Sequence, residues 1–406
     1  MILAVLYYVF LRSASAPFRR ALLIRSLTPL PSELDSQSQR RRLISFTQAR
    51  NCGLNNQLQE MLLLYYLASR LDRDMVVLDY YEKSWWHRFL TPKSLSVTWL
   101  HPLSKRTALP QKVAPPHTAS AVNMVRPHHF AERCQGAVQT VQIDTGACAT
   151  DRLDCIVSQL SAFSASPCLH VDTWLLDWTF FTSKQLHSPF YDYLNVAVSR
   201  FSWDALLQKQ VAERMQRLGL DQAPFIAVHI RRGDFLSHCH DLAASKFAMN
   251  AWNTLPTLTR GQSSGFAEKE RLEPKAILAR CLPHTAWIVE KIKQEQTFLK
   301  ESAHLAVTKV YIVSNADAIE MAALQRGLAD TFDTIIDGRS LPLDTDGTQK
   351  ERQTAGLVVD MAIATNATSS IGNGYSSLTS NIVQFRLAEA LRENKVKEAE
   401  QRIALW

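Results

Sequence analysis

Hydrophobic positions from about residue 43 onward follow helical and strand-like spacings in turn. Within residues 53–71, Leu58, Met61, Leu62 and Tyr65 recur three and four positions apart, which is the spacing of one helix face. The short apolar run at 75–78 then predicts a strand. A helix followed by a strand indicates the beginning of an α/β domain.

The alternation becomes clearer from residue 224. Predicted strands are 138–143, 225–230, 310–313, 332–336 and 369–372; predicted helices are 201–218, 286–300, 318–325 and one that opens at Ser376. Residues 358–365 fit either type, whereas 92–125 and 241–275 are expected to be an irregular excursion and a long insertion. Strands that alternate with helices predict parallel sheets, one in each of two Rossmann-like halves.

The domain boundaries follow from this pattern. Residues 1–42 are predicted to be an apolar segment and a basic stem, and 43–218 and 219–390 to be the two Rossmann-like domains, with 391–406 as a carboxyl-terminal helical tail. The apolar stretch 2–11 is too short for a bilayer span of ~20 residues and suits a signal peptide. The arginines that follow it argue against translocation of the rest of the chain into a lumen. Secretory targeting and membrane anchoring therefore both remain open.

Composition narrows the function classes only a little. A hydrophobic content of 46% and a charged content of 20% are typical of a globular protein. The net charge of +7 (45 basic minus 38 acidic residues) fits a site for a phosphorylated ligand or a slightly basic surface, and we expect no nucleic-acid partner.

Seven cysteines form no CxxC pair and no zinc-ligand spacing, so they are either disulfide-bonded or free. Two Asp-x-Asp sequences, at 72–74 and 344–346, are interpreted as a turn and a loop. We therefore predict no metal site.

A cluster of charged side chains follows the predicted strand 225–230. His229, Arg231, Arg232 and Asp234 fall within six residues at its carboxyl end. Open parallel sheets bind ligands at this edge, and arginine presents a planar fork of donors to phosphate oxygens. The cluster indicates a phosphate site, with a structural Arg–Asp pair as the alternative.

The segment 369–386 combines a strand, a glycine turn and a helix start. Two glycines flank Asn373 and permit close backbone approach, and Ser376 and Ser377 open a helix whose free N–H groups favour an anion. The segment is neither a dinucleotide fingerprint nor a P-loop, since it lacks the glycine and lysine that those motifs require. A plain capped helix is the alternative.

A third element, GLNNQ, places Asn55 and Asn56 at the start of the first helix, where amides alone would indicate a helix cap. Together the three motifs resemble the GDP-fucose-dependent protein O-fucosyltransferases and the related α-1,6-fucosyltransferases. HIRRGDF is similar to the family's His-x-Arg-Arg-x-Asp-Phe segment, IGNGYSSLTSN to its Ile-Gly-Asn-x-x-Ser-Ser motif, and GLNNQ to its Gly-x-x-Asn-Gln element. The motifs follow the family's order across 45–390, and the second is most similar to fungal and plant-like members.

The resemblance implies an α/β protein of GT-B fold, with two Rossmann-like domains that face each other across a cleft. It implies that Arg231 contacts the β-phosphate of GDP-fucose and that Asn56, or Asn55 if the register slips by one, reaches the reacting centre. The other residues implied to bind GDP-fucose are His229, Arg232, Asp234, Asp360, Ser376, Ser377 and Leu378, the last through its backbone.

The implied reaction transfers fucose from GDP-fucose to a Ser or Thr hydroxyl of a protein, with inversion and without a metal or other cofactor. A fixed cation and helix-start N–H groups would stabilise the charge of the departing GDP. Cys52 stands where one subgroup of the family carries Glu, and Glu60 is a poor substitute, so the general base is unassigned. Cysteines similar to Cys239 and Cys281 flank the same region in fungal-type relatives, which implies a disulfide.

Three alternatives remain open. The acceptor could be a glycan, the chain could be a non-catalytic binder of nucleotide or glycan, or it could be a cytosolic α/β protein that binds another phosphorylated ligand. We expect the lumen of the endoplasmic reticulum or Golgi, where the sequon at Asn366 would be available for glycosylation.

Overall fold

Five parallel strands of the amino-terminal half form the first sheet. The computed structural model describes residues 42–48, 53–76, 124–125, 130, 133–134, 136–148, 150–201, 203, 205–233, 235–258, 273–340 and 349–406. The strands are β1 (Leu43–Phe46), β2 (Asp74–Val76), β3 (Met124–Val125), β4 (Gln139–Val141) and β5 (Cys168–Val171). Their order is β3-β2-β1-β5-β4, and every neighbouring pair is parallel.

The carboxyl-terminal half forms a second sheet, also of five parallel strands. These are β6 (Phe225–Ile230), β7 (Lys309–Ser314), β8 (Thr334–Asp337), β9 (Ser369–Gly372) and β10 (Ile403–Leu405). The order β10-β9-β6-β7-β8 places β6 at the centre. There His229 is in register with Val313 on one side and Gly372 on the other.

Helices connect the strands, as parallel pairing requires. They are α1 (Leu54–Arg70), α2 (Arg152–Ser161), α3 (Trp178–Phe181), α4 (Phe190–Val196), α5 (Ala205–Arg217), α6 (Phe235–Ala244), α7 (Pro274–Cys281), α8 (Thr285–Ser302), α9 (Ala318–Leu328), α10 (Gln349–Thr365), α11 (Ser377–Arg392) and α12 (Val396–Gln401). Short 3₁₀ turns occupy Lys184–Leu186, Val198–Arg200, Ala251–Thr254 and Gly338–Ser340.

Strand β6 is apolar at every position except His229 because helices cover both of its faces. Ile226, Val228 and Ile230 pack with α8 and α9 in one buried cluster. Phe225 and Ala227 belong to a second cluster, which also contains α10, α11 and residues of β1. The core under α11 is therefore shared by the two sheets, and α11 packs against α1, α4 and α10.

Most predicted elements of the described chain are confirmed. The predicted helix 53–71 is α1, and the predicted strands 225–230 and 369–372 match β6 and β9 at both ends. The ambiguous segment 358–365 is helical, since it is the second half of α10. The amino-terminal segment 1–41, most of the 92–125 excursion and the loop that contains Asp344 lie outside the described residues.

Within the expected insertion 241–275, the described residues include the end of α6, a 3₁₀ turn and the beginning of α7. One prediction was wrong in part. The tail 391–406 is not helical throughout: after α12 it forms β10, which pairs with β9 and extends the second sheet past residue 390. Three apolar residues carry too little periodicity to predict a strand, and the contact with β9 that makes them one is non-local.

Among the described residues there are three disulfides: Cys134–Cys168, Cys148–Cys155 and Cys239–Cys281. The last confirms the expected pairing. Cys52 lies outside the described residues.

Among the helices of the described chain, none combines the length and apolar character that crossing a bilayer would take.

Candidate active site

The first turn of α11 is where the three sequence motifs meet. The ring nitrogen Nδ1 of His229, from β6, lies 2.7 Å from Oγ1 of Thr379. From α1, two residues after the GLNNQ motif, Nε2 of Gln59 donates to the backbone oxygen of Ser377 at 3.3 Å. Residues that are up to 318 positions apart in sequence thus surround one helix start.

The two neighbouring asparagines of α1 have different surroundings. Nδ2 of Asn381 donates to both the backbone oxygen and Oδ1 of Asn55, each at 3.1 Å. Asn56 is half-buried, and its side chain has no partner among the described residues. The two oxygens of Asn55 are thus bonded to α11, whereas the side chain of Asn56 makes no such contact.

Arg232 fastens the turn that follows β6. Its Nε donates to Glu320 at 2.8 Å, and its Nη2 donates to the backbone oxygen of Pro283 at 2.5 Å. Its backbone N–H donates to Oδ1 of Asn315 at 2.6 Å, and Gly233 follows with a φ of 61°. Only 14% of the Arg232 side chain is exposed, so these contacts give it a structural role here.

Arg231 is the other arginine of the pair and lies half-buried beside the strand end. Its Cζ is 5.6 Å from the ring centre of Phe235, the first residue of α6. Asp234, between them, lies outside the described residues.

His229 is buried and uncharged. Burial, and secondarily the nearby charge of Arg231, lowers the pKa of the imidazole from 6.5 to about 3. Since the ring is only 4% exposed and already bonded to Thr379, the structure places it beneath the site rather than at its surface.

Two glycines of the IGNGYSS motif are required by close packing. A Cβ at position 372 would lie 2.3 Å from Cγ2 of Thr379, and one at position 374 would lie 2.2 Å from Sδ of Met249. No side chain fits at Gly372 unless α11 moves away from β9. The strand thus approaches the start of α11 as closely as a backbone can.

Asn373, between these glycines, is fully buried and fixes the loop. Its Nδ2 donates to the backbone oxygen of Cys281 at 2.7 Å, and its Oδ1 accepts from the N–H of Tyr375 at 2.9 Å. Cys281 is joined to Cys239, at the middle of α6. The disulfide therefore connects the helix after the arginine motif to the loop of the serine motif.

Ser376 is the N-cap of α11. Its Oγ accepts from the N–H of Leu378 at 3.3 Å, and its own N–H donates to the backbone oxygen of Asn373 at 3.0 Å. A capping hydroxyl still has its proton to donate, and the first N–H groups of a helix point out of its end. With half-buried Ser377, this turn presents several donors and the positive end of the helix dipole.

Asp360 lies apart from this turn, on α10 over the β7–β8 side of the sheet. Its Oδ1 accepts from the hydroxyl of Tyr311 at 2.6 Å and is 3.7 Å from Nη2 of Arg214. Burial raises the pKa of the Asp360 carboxyl. A Cβ at Gly338, beyond the end of β8, would lie 3.1 Å from its Oδ2.

Glu60 lies one helical turn after Asn56. It is only 2% exposed, and its Oε1 accepts from Nε1 of Trp174 at 2.9 Å. A carboxylate buried in this way does not face an open surface, which agrees with its being a weak candidate for a base.

Several residues at the meeting point were not predicted from sequence. Gln59, Thr379 and Asn381 are at most 3% exposed and join the motifs to each other. A polar residue on the buried face of an amphipathic helix was the available signal, but it does not reveal the partner.

Within the described ranges, no three His, Cys, Asp or Glu side chains gather as a metal site. Of the Asp-x-Asp sequences, Asp74 begins β2 and Asp72 lies in the preceding turn.

Comparison with known proteins assigns the family. The family model for GDP-fucose protein O-fucosyltransferase matches residues 46–389. The chain belongs to the GDP-fucose protein O-fucosyltransferase family. This membership makes it a GDP-fucose-dependent fucosyltransferase and confirms the resemblance seen in the three motifs. No curated protein matches by sequence.

Solved structures support the fold. POFUT1 in complex with GDP-fucose has a TM-score of 0.54 at 14% identity, covering 91% of this chain and 98% of that one. POFUT1 in complex with GDP has a TM-score of 0.55 at 14% identity, covering 90% and 98%.

Proposed function

We propose that this protein transfers fucose from GDP-fucose to a Ser or Thr hydroxyl of a protein, with inversion and without a metal ion. The observation that carries the proposal is the meeting of the three motifs at the first turn of α11. The donor motifs lie on β6 and α11, in the half of the chain that forms the second sheet. Asn56 lies on α1, in the half that forms the first sheet. We infer that the two halves are the Rossmann-like domains of a GT-B fold and that the reaction occurs in the cleft between them.

The pyrophosphate of the donor would lie at the start of α11. Ser376, Ser377 and the N–H of Leu378 offer hydrogen bonds there, and Arg231 adds a positive charge at the end of β6. The POFUT1 structures with GDP and GDP-fucose support a donor site in this fold.

We assign His229 and Arg232 to the support of this site, since their contacts hold α11 and the β6 turn. Asp360 would lie nearer the nucleoside, on the β7–β8 side. Asp234 stays a predicted ligand.

The chemistry follows from where charge develops. The bond between the anomeric carbon and the β-phosphate oxygen breaks, and the electron pair leaves with GDP. The acceptor oxygen forms the new bond from the opposite face, which inverts the configuration, and the acceptor proton is lost to solvent or to a base. Arg231 and the helix-start donors stabilise the new charge on GDP in the transition state, so no metal is needed for that purpose.

The compartment proposed is the lumen of the endoplasmic reticulum or Golgi, with the amino terminus as a signal or membrane anchor. Three disulfides in the described chain support an oxidising compartment. Asn366 is exposed just after α10, and its Nδ2, the atom that glycosylation would modify, donates to the backbone oxygen of Ala362 at 2.8 Å.

Release of GDP from GDP-fucose tests the proposal, because slow transfer to water needs no identified acceptor. Arg231→Ala is expected to lower the rate by ~10²–10³, as loss of an oxyanion-stabilising group does. Arg326→Ala is the matched control, since Arg326 is exposed in the last turn of α9, away from the carboxyl ends of the strands. Wild-type rates in Arg231→Ala would refute the assigned role, and GDP binding without any turnover would indicate a non-catalytic binder.

Addition of glycoprotein and free-glycan acceptor mixtures in the same assay separates the two acceptor classes. Stimulation by polypeptides alone supports O-fucosylation, whereas stimulation by glycans alone supports the alternative.

A further inference from the structure

A chain of buried side-chain hydrogen bonds, called the relay below, runs from the core to Asn55. The hydroxyl of Tyr193 and Nε1 of Trp252 both donate to Oε1 of Gln384, at 2.6 and 2.8 Å. Nε2 of Gln384 donates to Oδ1 of Asn381 at 2.8 Å. Nδ2 of Asn381 donates to the two oxygens of Asn55 at 3.1 Å.

The direction of this chain is fixed by chemistry. An indole nitrogen can only donate, so the group that faces Trp252 must be the oxygen of Gln384. The Gln384 nitrogen then faces Asn381 and requires an oxygen there, which turns the Asn381 nitrogen towards Asn55. The orientation of both amides therefore follows from a single indole.

Burial makes the arrangement stringent. Gln384 and Asn381 are both 0% exposed, and a buried amide left unpaired costs about 1–3 kcal/mol. Neither amide turns over without placing two like groups against each other. The first turn of α1 is thus held in one register on α11.

We propose that Asn381 and Gln384 are positioning residues for the transfer reaction, which set Asn56 against the donor held at the start of α11. The inference rests on the proposed function, because it takes Asn56 to lie at the reacting centre. In this proposal Asn55 anchors α1 to α11 through its two oxygens, and Asn56 is the residue that reaches the donor.

The relay and the phosphate contacts are separable. Ser376 caps α11 through Leu378, and Arg232 is held by Glu320, so neither depends on the relay. Loss of the relay is therefore expected to lower kcat while GDP affinity is retained.

The test compares Asn381→Ala and Gln384→Met with Gln296→Met. Gln296, on α8, is a matched control because its amide also makes two hydrogen bonds, to Val307 and Thr331 at 2.7 and 3.1 Å, on the other face of the sheet. The readouts are Tm, GDP affinity by calorimetry, kcat and KM for GDP release from GDP-fucose, and hydrogen exchange of residues 54–59.

We expect kcat to fall at least tenfold in both relay variants, with GDP affinity within about twofold of wild type and faster exchange at 54–59. Gln296→Met should lower Tm without any of these changes. Unchanged kcat in either folded relay variant, or a loss of GDP affinity equal to the loss of kcat, would overturn the proposal. If the wild type neither binds GDP nor releases it from GDP-fucose, the proposed function fails. Unchanged exchange at 54–59 would still refute the relay separately.

Discussion

The Cys239–Cys281 disulfide gives a prediction that combines stability and donor binding. Its loop of 42 residues corresponds to about 4 kcal/mol of unfolding free energy in the chain-entropy description, whereas the seven-residue separation of Cys148 and Cys155 corresponds to about 2 kcal/mol. Replacing each pair by alanines should therefore destabilise the protein by roughly these amounts, measured by urea denaturation without reductant.

Only the first pair should alter GDP binding. The backbone oxygen of Cys281 accepts from Asn373, and that of Pro283, two residues later, accepts from Arg232. Without the disulfide, these two hydrogen bonds would have to form when GDP binds. At a cost of about 1 kcal/mol each, this would lower GDP affinity by roughly 30-fold.

Calorimetric titration with GDP checks this expectation. The double variant at 148 and 155 is the control and should bind GDP as the wild type does. Equal GDP affinity in both double variants, or an equal loss in both, would refute the reasoning that the disulfide connects the two donor motifs.

Three further predictions concern the surroundings of this site. Gly372→Ala should lower the unfolding free energy by about 1–3 kcal/mol in urea, because its Cβ would overlap the Thr379 side chain; wild-type stability would contradict the packing. The lowered pKa of His229 means that the unfolded chain binds a proton that the folded chain does not between about pH 6.5 and about pH 3, so stability should fall with decreasing pH there by up to about 1.4 kcal/mol per unit; His229→Gln should reduce this slope, and an unchanged slope would show that other groups cause it. A double-mutant cycle of Arg232→Met and Glu320→Met should give a coupling energy of about 1 kcal/mol, whereas additive effects would remove the structural role of Arg232.

Strand β6 could be predicted from sequence because burial on both faces makes five of its six residues apolar, with His229 as the exception. Strand β9 begins with two serines, and it was predicted from the glycine turn and the helix start that follow it. β10 was missed because its strand character comes from pairing with β9 and not from its own three residues.

The candidate site was predictable where a residue type reports its own chemistry. Arginines at a strand end and serines at a helix start indicate a phosphate without knowledge of their neighbours. Roles that depend on a partner could not be predicted in the same way. The occupied guanidinium of Arg232 and the contact between Asn55 and Asn381, 326 residues apart, are visible only in the fold.

Calorimetric titration of the protein and of Arg231→Ala with GDP, GMP and UDP tests the central claim most directly. The account predicts that GDP binds about 10- to 100-fold more tightly than GMP, because GMP lacks the β-phosphate that would lie at Arg231 and the start of α11. It also predicts that GDP binds more tightly than UDP, because UDP has the β-phosphate but lacks the guanine base of the donor. Arg231→Ala should remove most of the advantage of GDP over GMP. Equal binding of the three nucleotides, or an unchanged GDP preference in Arg231→Ala, would contradict the assignment of this site to the donor pyrophosphate.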